Sequence, residues 1–169
     1  MTTKKVVCIS GGFDPVHIGH LRMIEEAAKY GDVVAIVNSD GWLMRKKGYI
    51  FMPFEERCEI IEGFTHIAST TYVDDNDGTV CEALRRIKPD FFANGGDRQI
   101  DNTPEMQVCE EEGITLLWNV GGDKIQSSTE LVVSSGAVGN LETEIDGVDI
   151  RPSRVEILTA GDIMKKSNY

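Results

Sequence analysis

Val33-Val34-Ala35-Ile36-Val37 is a run of five apolar residues with no polar face. A strand wetted on one side alternates; a continuous run needs both faces covered, as in parallel sheets flanked by helices. The neighbouring segments fit that requirement. Lys5 to Ser10 reads as a first strand. Ile18 to Tyr30 reads as a helix whose apolar stripe is Leu21, Ile24, Ala27 and Ala28, with Gly31 as its stop. Pro53 to Phe64 and Thr79 to Ile87 read as further helices, the second ended by Pro89. Thr71 to Val73, Asp90 to Asn94 and Ile114 to Trp118 supply three more strands. Thr103 is placed to cap a helix that has Pro104 at its first position. Ser127-Ser128-Thr129-Glu130 has capping-box spacing ahead of Leu131-Val132-Val133, and residues 39–52 read as a basic loop.

Strands alternating with helices predict an α/β domain: a Rossmann-like five-stranded parallel sheet with helices on both faces. Ligands of such sheets sit beyond the carboxyl ends of the strands, near the switch point. The pattern changes after Gly136, so residues 1–137 read as the domain and 138–169 as a short C-terminal appendage. The appendage is acidic, then β-like at Val155 to Leu158; that run is expected to add a strand to the sheet or to a partner copy, so a homodimer is one of the readings.

Seventeen basic against twenty-eight acidic residues give a net charge of −11. That balance argues against a nucleic-acid partner, which needs a basic footprint. It leaves room for small anions held by local basic groups. No run approaches the roughly 18 apolar residues of a membrane span, and the first apolar stretch is too short for a signal peptide, so a cytoplasmic location with no membrane partner is expected. Cys8, Cys58, Cys81 and Cys109 are widely spaced without a C-x-x-C pair and read as reduced thiols.

The richest segment is Gly11-Gly12-Phe13-Asp14-Pro15-Val16-His17-Ile18-Gly19-His20, which leaves the first strand and enters the first helix. Two of the three histidines lie three apart there, on one side of a helical first turn. The free N–H groups and dipole of that turn attract phosphate, and imidazoles in that place can donate to phosphate oxygens. Gly12 and Gly19 allow close backbone approach. Bland readings stand beside the sharp ones. Asp14 and Asp97 each suit an Asx turn, Ser127 suits a simple helix cap, and Phe13 suits the core. Lys46-Lys47 suits a solvated loop, and Arg57 a helix surface.

The string resembles the nucleotidyltransferases with an H-x-G-H signature, which carry G-x-F-D ahead of the first histidine. Asn38-Ser39-Asp40, Arg45-Lys46-Lys47-Gly48, Arg57, Asn94-Gly95-Gly96-Asp97 and Gln126-Ser127-Ser128-Thr129 extend the resemblance over about residues 5 to 134. They look like heptose-1-phosphate adenylyltransferases and glycerol-3-phosphate cytidylyltransferases. The resemblance implies nucleotidyl transfer from a nucleoside triphosphate to a sugar- or polyol-phosphate, with pyrophosphate released. It implies His17, His20, Lys47 and Arg57 as catalytic residues. Gly12, Phe13, Asp14, Gly19, Lys46, Asp97, Ser127, Ser128 and Thr129 would bind the nucleotide, and Asp40 the acceptor. Mg²⁺ would arrive with the triphosphate, with no metal ligand supplied by the protein. The cytidylyltransferases' arginine before the last turn is missing here, where Lys124 stands, which favours ATP over CTP. Glycerol-3-phosphate cytidylyl transfer and a non-catalytic nucleotide-binding regulatory module are the alternatives.

Overall fold

The computed structural model describes residues 3–96 and 103–136. Its strands are β1 (Val6–Gly11), β2 (Asp32–Val37), β3 (Ile67–Thr71), β4 (Phe91–Ala93) and β5 (Thr115–Leu117). They form one parallel sheet in the order β3-β2-β1-β4-β5. The helices are α1 (Ile18–Ala27), α2 (Asp40–Lys47), α3 (Phe54–Glu62), α4 (Cys81–Ile87), α5 (Pro104–Glu112) and α6 (Ser128–Ser134). The chain builds outward from β1 through β2 to β3, then returns to the other side of β1 for β4 and β5. That reversal is the switch point at which loops diverge and a crevice opens.

The continuous apolar runs are explained by two cores. Val7 and Ile9 of β1 and Val33, Ala35 and Val37 of β2 pack with Ile24, Ala27 and Ile61 on the face of α1 and α3. Cys8 and Ile36, between them in sequence, point the other way and pack with Ala83, Leu84, Phe92 and Val108 on the face of α4 and α5. Each such fully buried aliphatic side chain contributes about 1.5–3 kcal/mol relative to exposure. All four thiols are free. Burial pushes the Cys8 thiol up to about 12 and the Cys109 thiol to about 11, so both behave as small core hydrophobes.

Several expectations are corrected. The segment read as a basic loop contains α2, with Ser39 as N-cap accepting from the Trp42 N–H and Gly48 ending it at φ 79°. Arg45, Lys46 and Lys47 occupy its last turn, where the helix dipole favours cations. The third strand is Ile67–Thr71, not Thr71 to Val73; Val73 reaches the core from the following loop. Helix α1 ends at Ala27, three residues earlier than expected. Gly31 is needed instead because a Cβ there would run into the Lys5 carbonyl. The readings of Asp97 and of the appendage, with its strand and homodimer, lie outside the described residues.

Candidate active site

Beyond the carboxyl ends of β1 and β4 lies a cavity of about 320 Å³. Two walls carry its chemistry. One is the start of α1 with His17, Gly19 and His20, joined by Lys46 and Lys47 from the end of α2. The other is the Gly121–Gln126 loop and the start of α6, with Lys124, Ser127, Ser128 and Thr129. Gly95 and Gly96, after β4, close it. Three lysines and two histidines thus gather on one cavity of a chain whose net charge is −11. Local basic groups of this kind hold anions against an unfavourable overall charge.

The histidines are set by the backbone. His17 is the N-cap of α1 and its Nδ1 accepts from the Gly19 N–H at 3.1 Å. The Nδ1 of His20 accepts from the His17 N–H at 3.1 Å, completing a reciprocal capping box. A ring nitrogen that accepts carries no proton, so the hydrogen of each neutral ring is on Nε2. The rings stack at 3.9 Å between centroids, and Phe13 lies 5.0 Å from His20. A Cβ on Gly19 would sit 2.9 Å from the His17 ring, so the spacing residue must be glycine for the ring to reach its own helix. Burial pushes His20 down to about 3, helped by His17 and Lys47, and lowers His17 as well, with Lys47 and Lys124 adding to it. Both rings are therefore neutral Nε2–H donors at neutral pH.

This fixes a sign. A histidine kept neutral in the fold but free to protonate in the unfolded chain leaves stability intact above about pH 6.5 and removes it as pH falls toward the folded value. The unfolding midpoint in urea is expected to drop between pH 6.5 and about pH 5, before most carboxylates titrate. The drop should be smaller in His20→Ala. A pH slope unchanged by that substitution would contradict the buried neutral ring.

Other expected site residues sit beneath the cavity rather than in it. Phe13 is core, at φ 51°, with its ring under His20. Gly12 faces α2, where a Cβ would meet the Leu43 side chain at 2.9 Å. Asp14 is fully buried and accepts from the N–H groups of Phe51 at 2.7 Å and Met52 at 2.6 Å, so it anchors the segment after α2. Burial raises its pKa, against the pull of those two N–H groups and of Arg57 and Lys47. Arg57 is neither on a helix surface nor in the cavity. Its guanidinium is fully buried and donates to the carbonyls of Met52 (2.9 Å), Gly12 (2.8 Å) and Asn38 (2.7 Å) and to Asp40 Oδ1 (2.7 Å). Arg57 thus ties together the exits of β1 and β2 and the segment before α3. Asp40 stands at the start of α2, partly exposed and bonded to Arg57.

Ser127 is the N-cap of α6, its Oγ accepting from the Glu130 N–H, and it also faces the cavity. The Ser128 Oγ donates to the Pro15 carbonyl at 2.6 Å, joining α6 to the histidine loop. Sequence reasoning missed the Gly121–Asp123 part of the wall. Its signal was the Gly121-Gly122 pair, which takes positive φ, with the Gly121 N–H donating to Glu26 on α1. It also missed buried Asp75.

A family model described as cytidylyltransferase-like matches residues 8–148. The chain belongs to the cytidylyltransferase-like family. It is 32% identical over 111 residues to an FAD synthase from Ferroglobus placidus, covering 66% of this chain and 71% of that protein. It is 30% identical over 113 residues to the bifunctional protein HldE of Desulfatibacillum aliphaticivorans, covering 65% of this chain but 23% of that protein, so the match is to about a quarter of HldE. The crystal structure of a lipopolysaccharide core biosynthesis protein from Thermoplasma volcanium superposes with a TM-score of 0.58 at 24% identity, covering 69% of this chain and 94% of that one. With this membership the chain is a nucleotidyltransferase enzyme of Rossmann-like fold. Among the described residues no helix is long and apolar enough to cross a membrane.

Proposed function

We propose that the chain transfers an adenylyl group from ATP to a phosphomonoester, a sugar- or polyol-phosphate in the first instance. The observation that carries the reading is the histidine pair, fixed as two neutral Nε2–H donors in a cavity with three lysines. An acceptor phosphate oxygen forms a bond to the α-phosphorus in line. The bond from that phosphorus to the bridging oxygen breaks, and pyrophosphate leaves. The acceptor dianion needs no base, and no side chain becomes covalent; positioning and charge stabilisation supply the catalysis. His17 and His20 hold the triphosphate and meet charge growing on it, while Lys46, Lys47 and Lys124 neutralise the phosphates. Ser127 and Thr129 face the same phosphates, and Asp40, at the mouth of α2, orients the acceptor.

Among the described residues no cluster of three or more metal-ligating side chains is present. Asp123 lines the cavity and would reach an Mg²⁺ carried in by the triphosphate. Bound there, the ion neutralises phosphate charge. Adenine is favoured over cytosine by the lysine in place of an arginine at 124 and by the FAD synthase and HldE relatives.

The test is pyrophosphate release with Mg²⁺, four nucleoside triphosphates and a panel of sugar phosphates, polyol phosphates and flavin mononucleotide. Release is expected with ATP and one sugar- or polyol-phosphate. Release with CTP and glycerol 3-phosphate would replace this reading by the cytidylyl one, and release with the flavin would move the acceptor to the FAD synthase class. Triphosphate binding with silence across the panel would favour a regulatory module.

A further inference from the structure

Helix α2 carries Lys46 and Lys47 to the cavity, yet it has almost nothing apolar to seat it. Of its eight residues Leu43 alone is buried. A helix that presents no apolar stripe is not oriented by core packing, so its rotation must be set by polar contacts. Those contacts converge on one carboxylate. Asp75, 2% exposed in the turn after β3, accepts from Asn38 Nδ2 at 3.1 Å, the Ser39 N–H at 2.8 Å and Ser39 Oγ at 2.5 Å. Its backbone carbonyl takes a 2.8 Å bond from Arg45, whose guanidinium also lies 3.8 Å from the carboxylate. Asp75 thus holds the cap of α2 directly and, through the Arg45 side chain reaching back toward Gly41, a residue of its last turn as well. The cap and the side chain of Arg45, on different turns of α2, are thereby tied to one residue, which restrains rotation of the helix.

We propose that Asp75 is a positioning residue for Lys47: it clamps the Asn38-Ser39 turn and Arg45, and so sets the rotation of α2 that delivers the Lys47 ammonium to the triphosphate. Arg57 is the opposing jaw, holding the Asn38 carbonyl and Asp40 from the other side. The Ser39 hydroxyl shows the coupling directly. It donates to Asp75 while accepting from the Trp42 N–H, so the helix cap is itself held by the carboxylate. Lys47 lies on the same helix two residues beyond Arg45 and is half-buried, which lowers its pKa against the pull of Asp14. A half-buried cation at the end of the helix has less freedom than an exposed one to compensate for a rotated helix.

The proposal rests on the transferase reading for its kinetic consequence, and its test separates the two. Asp75→Asn and Lys47→Ala are combined in a double-mutant cycle, read on the Kd of α,β-methylene ATP by calorimetry and on kcat. Asp75→Asn is expected to weaken triphosphate binding and lower kcat roughly tenfold in the parent background, but less than about twofold beside Lys47→Ala. The KM of the acceptor should stay within about twofold. Arg45→Met, which removes only the second contact and lies on the exposed side of α2, repeats the cycle without opening a buried site. It is expected to give a smaller loss, again absent beside Lys47→Ala. Equal losses in both backgrounds, for either variant, would overturn the positioning role. Coupling in Kd with no turnover in the parent protein would uphold the clamp and reject the transfer reaction.

Discussion

His17→Ala and His20→Ala should each lower kcat by at least about 10²-fold, the usual effect of losing one preorganised donor aimed at developing charge. The basis is the capping box. Each Nδ1 is occupied by a backbone N–H, so each Nε2–H is committed to donation without any reorganisation at the moment of reaction. The two variants differ in collateral damage. His17→Ala removes the N-cap of α1, at about 1 kcal/mol, whereas His20→Ala removes the reciprocal half of the capping box, the bond from the His17 N–H. Turnover is therefore to be compared with circular dichroism and the unfolding midpoint of each variant. A folded His20→Ala protein that turns over at nearly the parent rate would take that ring out of the mechanism.

Arg57→Met should cost at least about 3 kcal/mol of stability. The substitution strands the carbonyls of Gly12, Asn38 and Met52, and each buried acceptor left without a donor costs about 1–3 kcal/mol. The pair with Asp40 adds little, because that carboxylate is 39% exposed and screened by solvent. For a domain of this size the loss corresponds to a Tm lower by roughly 6–12 °C. Arg57→Lys should fall most of the way with it, since an ammonium cannot span the fork geometry of four acceptors. A melt within about 1 °C of the parent would mean that the three carbonyls are held by other contacts.

The sequence and the structure agree where the determinants are local. The apolar runs of β1 and β2, the Thr103 and Ser127 caps and the histidine string can all be read in a window of ten residues, and each is found where it was expected. The failures are long-range. Helix α2 has no apolar period, and its cap is held by Asp75, which is 36 residues away. The edge strand β3 is polar enough that the neighbouring Tyr72-Val73 pair looked more strand-like. Nothing near Arg57 in sequence distinguishes a surface arginine from one whose partners are 17, 19 and 45 residues off. Asp14 and Phe13 belong to the right string, yet their work is to hold the Phe51-Met52 segment and the His20 ring. The motif string leads to the cavity, and buried polar contacts between distant turns decide which of its members face it.

The central claim is attack by an acceptor phosphate on the α-phosphorus of ATP, with the neutral histidine pair holding the triphosphate. It is tested most directly by ³¹P NMR of the reaction with the acceptor that gives the fastest pyrophosphate release. The account predicts one pyrophosphate for each new phosphoanhydride joining the adenosine α-phosphate to the acceptor phosphate, with neither formed by His17→Ala or His20→Ala at the parent's rate. ADP and transferred γ-phosphate, or AMP without a joined product, would contradict it.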